Sequence, residues 1–189
     1  MSNNYNSYYG LLSRLLAERE KGSSSMARVR RGISPNTESY AFADVLPGQD
    51  PHNQQALLRA SALLAAHPHI AQIVQPEAEE NTRRSLGRSF AEFSRLLDAE
   101  ATFDPNSPDS IATRLQQIVN QDLDDATLTL HRIFSLVEQK ASAPAFLDWY
   151  LLFGVLIHWG NGVSESSLKV RKKLLRQYYE AAPFFELKK

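Results

Sequence analysis

Five histidines (His52, His67, His69, His131 and His158) and three grouped aspartates (Asp122, Asp124 and Asp125) are the residues whose types could do metal or acid–base chemistry. Their spacing argues against it. No two histidines stand at i,i+4 with an acid between them, the arrangement of a helical zinc site. His67 and His69 flank Pro68 and belong to a turn. The aspartates imitate a Ca²⁺ loop but lack its glycine and its distant glutamate. They stand just before a helical pattern, where carboxylates cap free N–H groups and oppose the helix dipole. The chain has no cysteine, which excludes disulfides and thiolate metal sites. There is no G-x-S-x-G elbow and no P-loop. Ser85-Leu86-Gly87-Arg88 imitates a phosphate loop, but one glycine inside a helical pattern is a device for close helix packing. We therefore expect no catalytic set, no metal and no cofactor.

The remaining chemistry is that of cations. Lysine and arginine number 21, equal to aspartate and glutamate, and the formal net charge is zero. The signs are segregated, however. Lys21 to Arg31 holds four basic residues and no acid, and Lys169 to Arg176 holds five and no acid. The acids gather at Glu77, Glu79 and Glu80, at Asp98 to Asp109, and at Asp122 to Asp125. Such segregation gives a neutral protein a basic face. Sorted at about 100° per residue, Arg84, Arg88 and Arg95 oppose the apolar stripe Leu86, Phe90, Phe93 and Leu97. Arg132 points away from Ala126, Leu130, Ile133, Phe134 and Val137, with His131 on the flank. Lys169, Lys172, Lys173 and Arg176 oppose Val170, Leu174, Tyr178 and Ala181. A plainly solvated face is the competing reading, but solvated faces usually mix signs. Arginine, a rigid donor fork for phosphate, makes up 14 of the 21 cations.

These faces must be carried by helices, since no run alternates with period two. The chain is expected to be all-α, a helical bundle of two small packed subdomains: 1–97, an acidic loop or linker at 98–110, and 111–189. Helices are predicted at Tyr8–Glu20, from the serines at 23–25 to Arg31 with Gly32 as terminator, at Asp50–Ala66, Thr82–Leu97, Pro108–Asn120, Asp125–Lys140, Pro144–Trp159 and Ser164–Ala181. A turn of helix is predicted near Tyr40–Val45. The helix from Pro144 is apolar almost all round (Phe146, Trp149, Tyr150, Phe153, Leu156 and Ile157) and is read as buried. Tyr5, Tyr8 and Tyr9 either pack on the first helix or meet a partner. No apolar run is long enough to span a bilayer and the N-terminus lacks a signal-peptide layout, so a soluble, cytoplasmic protein with no membrane partner is expected.

One ordered set of residues carries a family resemblance: Met26-Ala27-Arg28-Val29-Arg30-Arg31, Ser34-Pro35, His52-Asn53-Gln54-Gln55-Ala56-Leu57-Leu58-Arg59, Ser85-Leu86-Gly87-Arg88, Leu130-His131-Arg132-Ile133, Leu147-Asp148-Trp149 and His158-Trp159-Gly160. In this order, from about Leu11 to Tyr179, the chain resembles the CasB family, the small subunits of type I-E CRISPR surveillance complexes called Cascade. The resemblance implies an all-α, non-enzymatic subunit. Its expected partners are the other Cascade subunits, a second copy of itself, and the backbones of guide RNA and target DNA, with the displaced strand of the R-loop also steadied. It implies phosphate contacts at Arg30, Arg31, Arg59, Arg88, Arg114 and Arg132 and at Arg171, Lys172 and Lys173. His131 stands where a second basic residue is expected. Together with the helix-face reading, the candidate nucleic-acid-binding set is Arg30, Arg31, Arg59, Arg84, Arg88, Arg95, Arg114, His131, Arg132, Lys169, Arg171, Lys172, Lys173 and Arg176. Two other readings stay open: a helical protein–protein scaffold, whose binding would be insensitive to salt, and a helical hydrolase or metal enzyme with a site assembled from distant residues.

Overall fold

A computed structural model describes residues 3–20, 24–72, 85–159 and 164–182. In chain order the helices are α1 (Asn3–Glu20), α2 (Ser24–Arg30), α3 (Phe42–Val45), α4 (Gln54–Ala66), α5 (Leu86–Leu97), α6 (Ser110–Ile118), α7 (Leu123–Lys140), α8 (Trp149–Trp159) and α9 (Glu165–Tyr179). Short 3₁₀ turns at Arg31–Ile33, Glu38–Ala41 and Pro51–Asn53 precede α3 and α4. The fold is all-α. Among the described residues the extended structure is one parallel pair, β1 (Ala71–Gln72) beside β2 (Leu147–Asp148), and no helix is long and apolar enough to cross a membrane.

Helix starts follow local capping chemistry. The side chains of Asp50, Ser85, Asp109, Asp122 and Ser164 each accept a backbone N–H from the first turn that follows them, replacing partners the helix cannot supply itself. Three predicted starts are corrected: α1 begins at Asn3 and not Tyr8, α5 begins at Leu86 after its cap Ser85 and not at Thr82, and α8 begins late. The helix expected from Pro144 begins at Trp149, because Leu147 and Asp148 are held extended by Ala71 and Gln72. The Asp148 carboxylate then accepts the Tyr150 N–H at 3.0 Å. Phe146, expected in the core, lies before that start and is 48% exposed. Gly32 does not end a helix in open space. It is buried inside the Arg31–Ile33 turn, where an added Cβ would meet Ala62 Cβ at 3.3 Å.

One apolar cluster collects residues from Leu11 to Ala181. Every residue of α4 from Ala56 to Leu64 is buried, and α4 packs against α1, α2, α3, α7 and α8. Around it Phe90, Phe93 and Phe134 stack or meet edge-on and Trp149 lies tilted against Phe134, with ring centroids 5.5 to 6.4 Å apart. The Trp149 indole N–H donates to the Ala60 carbonyl at 3.3 Å, so its polar atom is paired although the ring is wholly buried. Segments on either side of the proposed linker 98–110 share this core, and the most extensive helix packing, α5 on α9, joins them. That packing depends on Gly87. A Cβ there would lie 2.4 Å from Gln177 Cβ and 2.5 Å from the Tyr178 nitrogen, so only a residue without a side chain lets the helices come so near.

Candidate nucleic-acid interface

The predicted basic residues separate by what faces them. On α9, Lys169, Lys172, Lys173 and Arg176 are exposed. The three lysines make no hydrogen bond or ion pair with a described residue, while Arg176 pairs with the equally exposed Glu180 at 3.2 Å. The opposite side of the helix buries Leu174 and Tyr178. On α2, α7 and the turn between α2 and α3, Arg30, Arg31 and Arg132 are exposed. The Arg31 guanidinium lies over the Tyr40 ring at 4.4 Å, and that ring is 54% exposed. The Arg31–Ile33 turn packs on both α4 and α7, so these cations belong to elements in mutual contact.

Two of the expected phosphate contacts are corrected, because their guanidinium groups are consumed inside the fold. Arg59 is fully buried. Its Nε donates to Asp124 Oδ1 at 2.7 Å, Nη2 to Glu38 Oε2 at 2.6 Å and Nη1 to the Gly32 carbonyl at 2.6 Å. A buried arginine with this many charge-assisted bonds is a structural staple. Arg171 is 5% exposed. It donates to the Trp159 carbonyl at 3.0 Å and the Val119 carbonyl at 3.4 Å, and lies 5.1 Å from the Trp159 ring centroid. It thereby places one positive charge at the carbonyl ends of α8 and α6 together, where both dipoles favour it. Burial lowers its pKa, with Asp122 opposing that effect.

Arg88, Arg95 and Arg114 are half-buried. Arg95 donates to the Ala99 carbonyl and lies over the Phe103 ring. Arg114 donates to the Ser110 carbonyl at 2.6 Å. Arg84 and the acids Glu77, Glu79 and Glu80 fall outside the described residues, as do the side chains of Tyr5, Tyr8 and Tyr9.

His131 is joined to residues that spacing did not connect with it. Its Nδ1 lies 2.6 Å from His67 Nε2, and His67 Nδ1 lies 2.8 Å from Glu138 Oε2. His67, at the end of α4, is 2% exposed and meets the Phe134 ring edge-on. Burial lowers the pKa of both histidines. For His67 this outweighs the opposing hydrogen bond and charge of Glu138; for His131 the neighbouring His67 adds to it. Gln55, Arg59 and His67 of α4 thus meet Asp124, His131 and Glu138 of α7 in the same order. The two helices run in one direction along a polar seam.

The titratable groups that converge among the described residues are the His131–His67–Glu138 chain and, lining a cleft of about 490 Å³, Asp98 and Asp109 with Arg114 and Lys140. A cleft of about 260 Å³ lies between α8 and α9, and its lining, which includes Tyr150, Val155, His158 and Lys173, holds no carboxylate. Asp109 is committed three times: it caps α6, it accepts from the Ser94 hydroxyl at 3.3 Å, and it accepts from the Tyr178 hydroxyl at 2.6 Å; burial and then this last bond raise the Tyr178 pKa. No group of three or more His, Asp or Glu among the described residues could hold a metal ion.

The family model described as CRISPR-associated protein Cse2 matches residues 25–179. The curated "CRISPR system Cascade subunit CasB" of Escherichia coli (strain K12) is 25% identical over 142 residues, covering 72% of this chain and 76% of that protein. Two solved structures share the fold. A chain of a "CRISPR RNA-guided surveillance complex" has a TM-score of 0.67 at 21% identity, with 97% of this chain and 98% of that chain covered. CasB from Thermus thermophilus has a TM-score of 0.64 at 21% identity, with 96% and 100% covered.

Proposed function

The chain belongs to the Cse2 family of CRISPR-associated proteins, and from that membership we propose that it is the non-catalytic small subunit of a type I-E Cascade complex. In this reading it grips nucleic-acid backbone for antiviral defence. Its relatives are a Cascade subunit and a chain of an RNA-guided surveillance complex. The observation that carries the reading for this chain is the outer row of α9: Lys169, Lys172 and Lys173 are exposed and without a described counter-charge. Arg30, Arg31, Arg132 and Arg176 supplement it. Arg88, Arg95 and Arg114 contribute whatever reach their internal contacts leave.

The mechanism is electrostatic. Each cation neutralises one phosphate and releases its counterions, so affinity falls steeply with salt. Guide pairing reads sequence, while the protein reads backbone and shape. Opening a target duplex against a guide is nearly balanced in free energy. A few backbone contacts to the guide–target duplex and the displaced strand therefore decide whether the R-loop persists. A net charge of zero makes the grip local, and the other Cascade subunits and a second copy of this chain supply avidity.

The test is R-loop lifetime in the assembled cytoplasmic complex, carrying the triple substitution Lys169→Ala, Lys172→Ala and Lys173→Ala, across a range of salt. We expect a shorter lifetime and a salt slope reduced by about one unit for each phosphate no longer neutralised. An unchanged lifetime and slope, or a native complex that lacks guide RNA, would refute the reading. A salt-insensitive association with proteins alone would favour a scaffold instead.

A further inference from the structure

We propose that His131 is a proton-coupled phosphate contact: its Nε2 takes up a proton when a nucleic-acid phosphate docks beside Arg132, and the chain His67–Glu138 balances the charge so gained. The proposal rests on the nucleic-acid reading above and names a residue and a pH dependence that reading does not contain.

With His67 neutral, as its burial favours, the heavy-atom contacts imply one arrangement of protons along the chain. The Glu138 carboxylate accepts from His67 Nδ1–H at 2.8 Å. A neutral His67 then has a bare Nε2, which accepts from His131 Nδ1–H at 2.6 Å. The tautomer of His131 is thereby fixed, and its own bare nitrogen is Nε2, the open end of the chain. His131 is half-buried, and Arg132, the next residue on α7, is exposed. A proton added at Nε2 breaks none of the existing hydrogen bonds. It makes an imidazolium whose Nδ1–H still points through His67 toward the Glu138 carboxylate. Nε2–H then becomes a charged donor for a phosphate oxygen, and such a bond is stronger than a neutral one.

Among the described residues, the charged groups that act on His131 are His67 from the end of α4, and Glu138 and Arg132 from α7 itself. Helices α5 and α6 and the Arg31–Ile33 turn also pack on α7, and add no other group to these. Burial disfavours the imidazolium most, any positive charge on His67 and that of Arg132 add to it, and only Glu138 favours it. The free protein therefore keeps His131 neutral at pH 7. A docked phosphate brings the missing negative charge and raises its pKa. Proton uptake falls between the free and bound values, so affinity strengthens as pH drops through that window and levels off below it.

The test uses the full chain and a short RNA–DNA hybrid duplex of mixed sequence, with affinity measured between about pH 8 and pH 5.5 at constant ionic strength. We expect affinity to rise by up to about tenfold per unit fall in pH, the limit for one proton. His131→Gln should flatten that slope, and Glu138→Gln, which removes the balancing charge, should move the rise to lower pH. An equal slope in wild type and His131→Gln overturns the proposal while leaving the nucleic-acid reading intact. Absence of binding at every pH overturns the proposal, while R-loop lifetime in the assembled complex decides the nucleic-acid reading separately. Should the variants not fold, ¹⁵N spectra of histidine-labelled wild type decide. Protonation of His131 Nε2 upon adding the duplex supports the proposal, and a bare Nε2 in the complex refutes it.

Discussion

Two polar rows in this molecule have opposite fates. Along the α4–α7 seam, Arg59 and His67 meet Asp124, Glu38, His131 and Glu138, and each cation or donor is matched at hydrogen-bond distance. Along the outer face of α9, three lysines have no described counterpart. A basic residue thus declares its role by what faces it, not by its type. Arg59 and Arg171 are as arginine-like in sequence as Arg132, yet both are committed to carbonyls and carboxylates of their own chain. Net charge hides this partition, because several of the acids that cancel the sum are held in caps and internal pairs.

The contrast is broken most forcefully by Arg59→Ala. It removes a buried guanidinium from three acceptors and should destabilise the fold by about 3 kcal/mol. Urea unfolding would register the loss, while nucleic-acid binding per folded molecule should hold. Next is Gly87→Ala, whose added methyl would force α5 from α9 and should lower stability by about 2 kcal/mol, measured the same way. Arg171→Ala should follow at about 1.5 kcal/mol, since it strips a charged donor from the carbonyl ends of α8 and α6. Its neighbours supply the sharpening control: Lys172→Ala with Lys173→Ala should change stability by less than about 0.5 kcal/mol, yet reduce the salt slope of binding. The last effect is a pH trend. His67 is buried with a lowered pKa, so the unfolded chain binds more protons just below its ordinary value of 6.5. Stability should fall as pH drops from there through the folded value, by at most about 1.4 kcal/mol per pH unit. In thermal melts His67→Gln should lessen that decline.

Features that depend on a few adjacent residues were legible before the fold was known. Helix starts at Asp50 and Ser164 are announced by side chains that cap from the position just outside. The cationic face of α9 follows from a helical repeat in which every basic residue except Arg171 falls on one side. Gly87 could be assigned to helix packing from its place inside a periodic run. What escaped depends on partners far along the chain. Helix α4 is apolar almost all round, so no stripe tells which way Arg59 points, and its acceptor Asp124 lies 65 residues away. His67 and His131 are 64 residues apart. The late start of α8 required a strand pair between Ala71 and Leu147, which no local pattern encodes.

The Arg59 node also bears on the order in which the chain assembles. Its bonds to Gly32 and Asp124 close intervals of 27 and 65 residues, and loop-closure entropy must be overcome before such contacts repay it. The helices can form early from their own caps, whereas this guanidinium finds its acceptors only once α2, α4 and α7 have converged. The node is then a late lock on the native state. Its loss should speed unfolding far more than it slows folding, so the lifetime of the folded protein, rather than its ability to reach the fold, is what Arg59 governs.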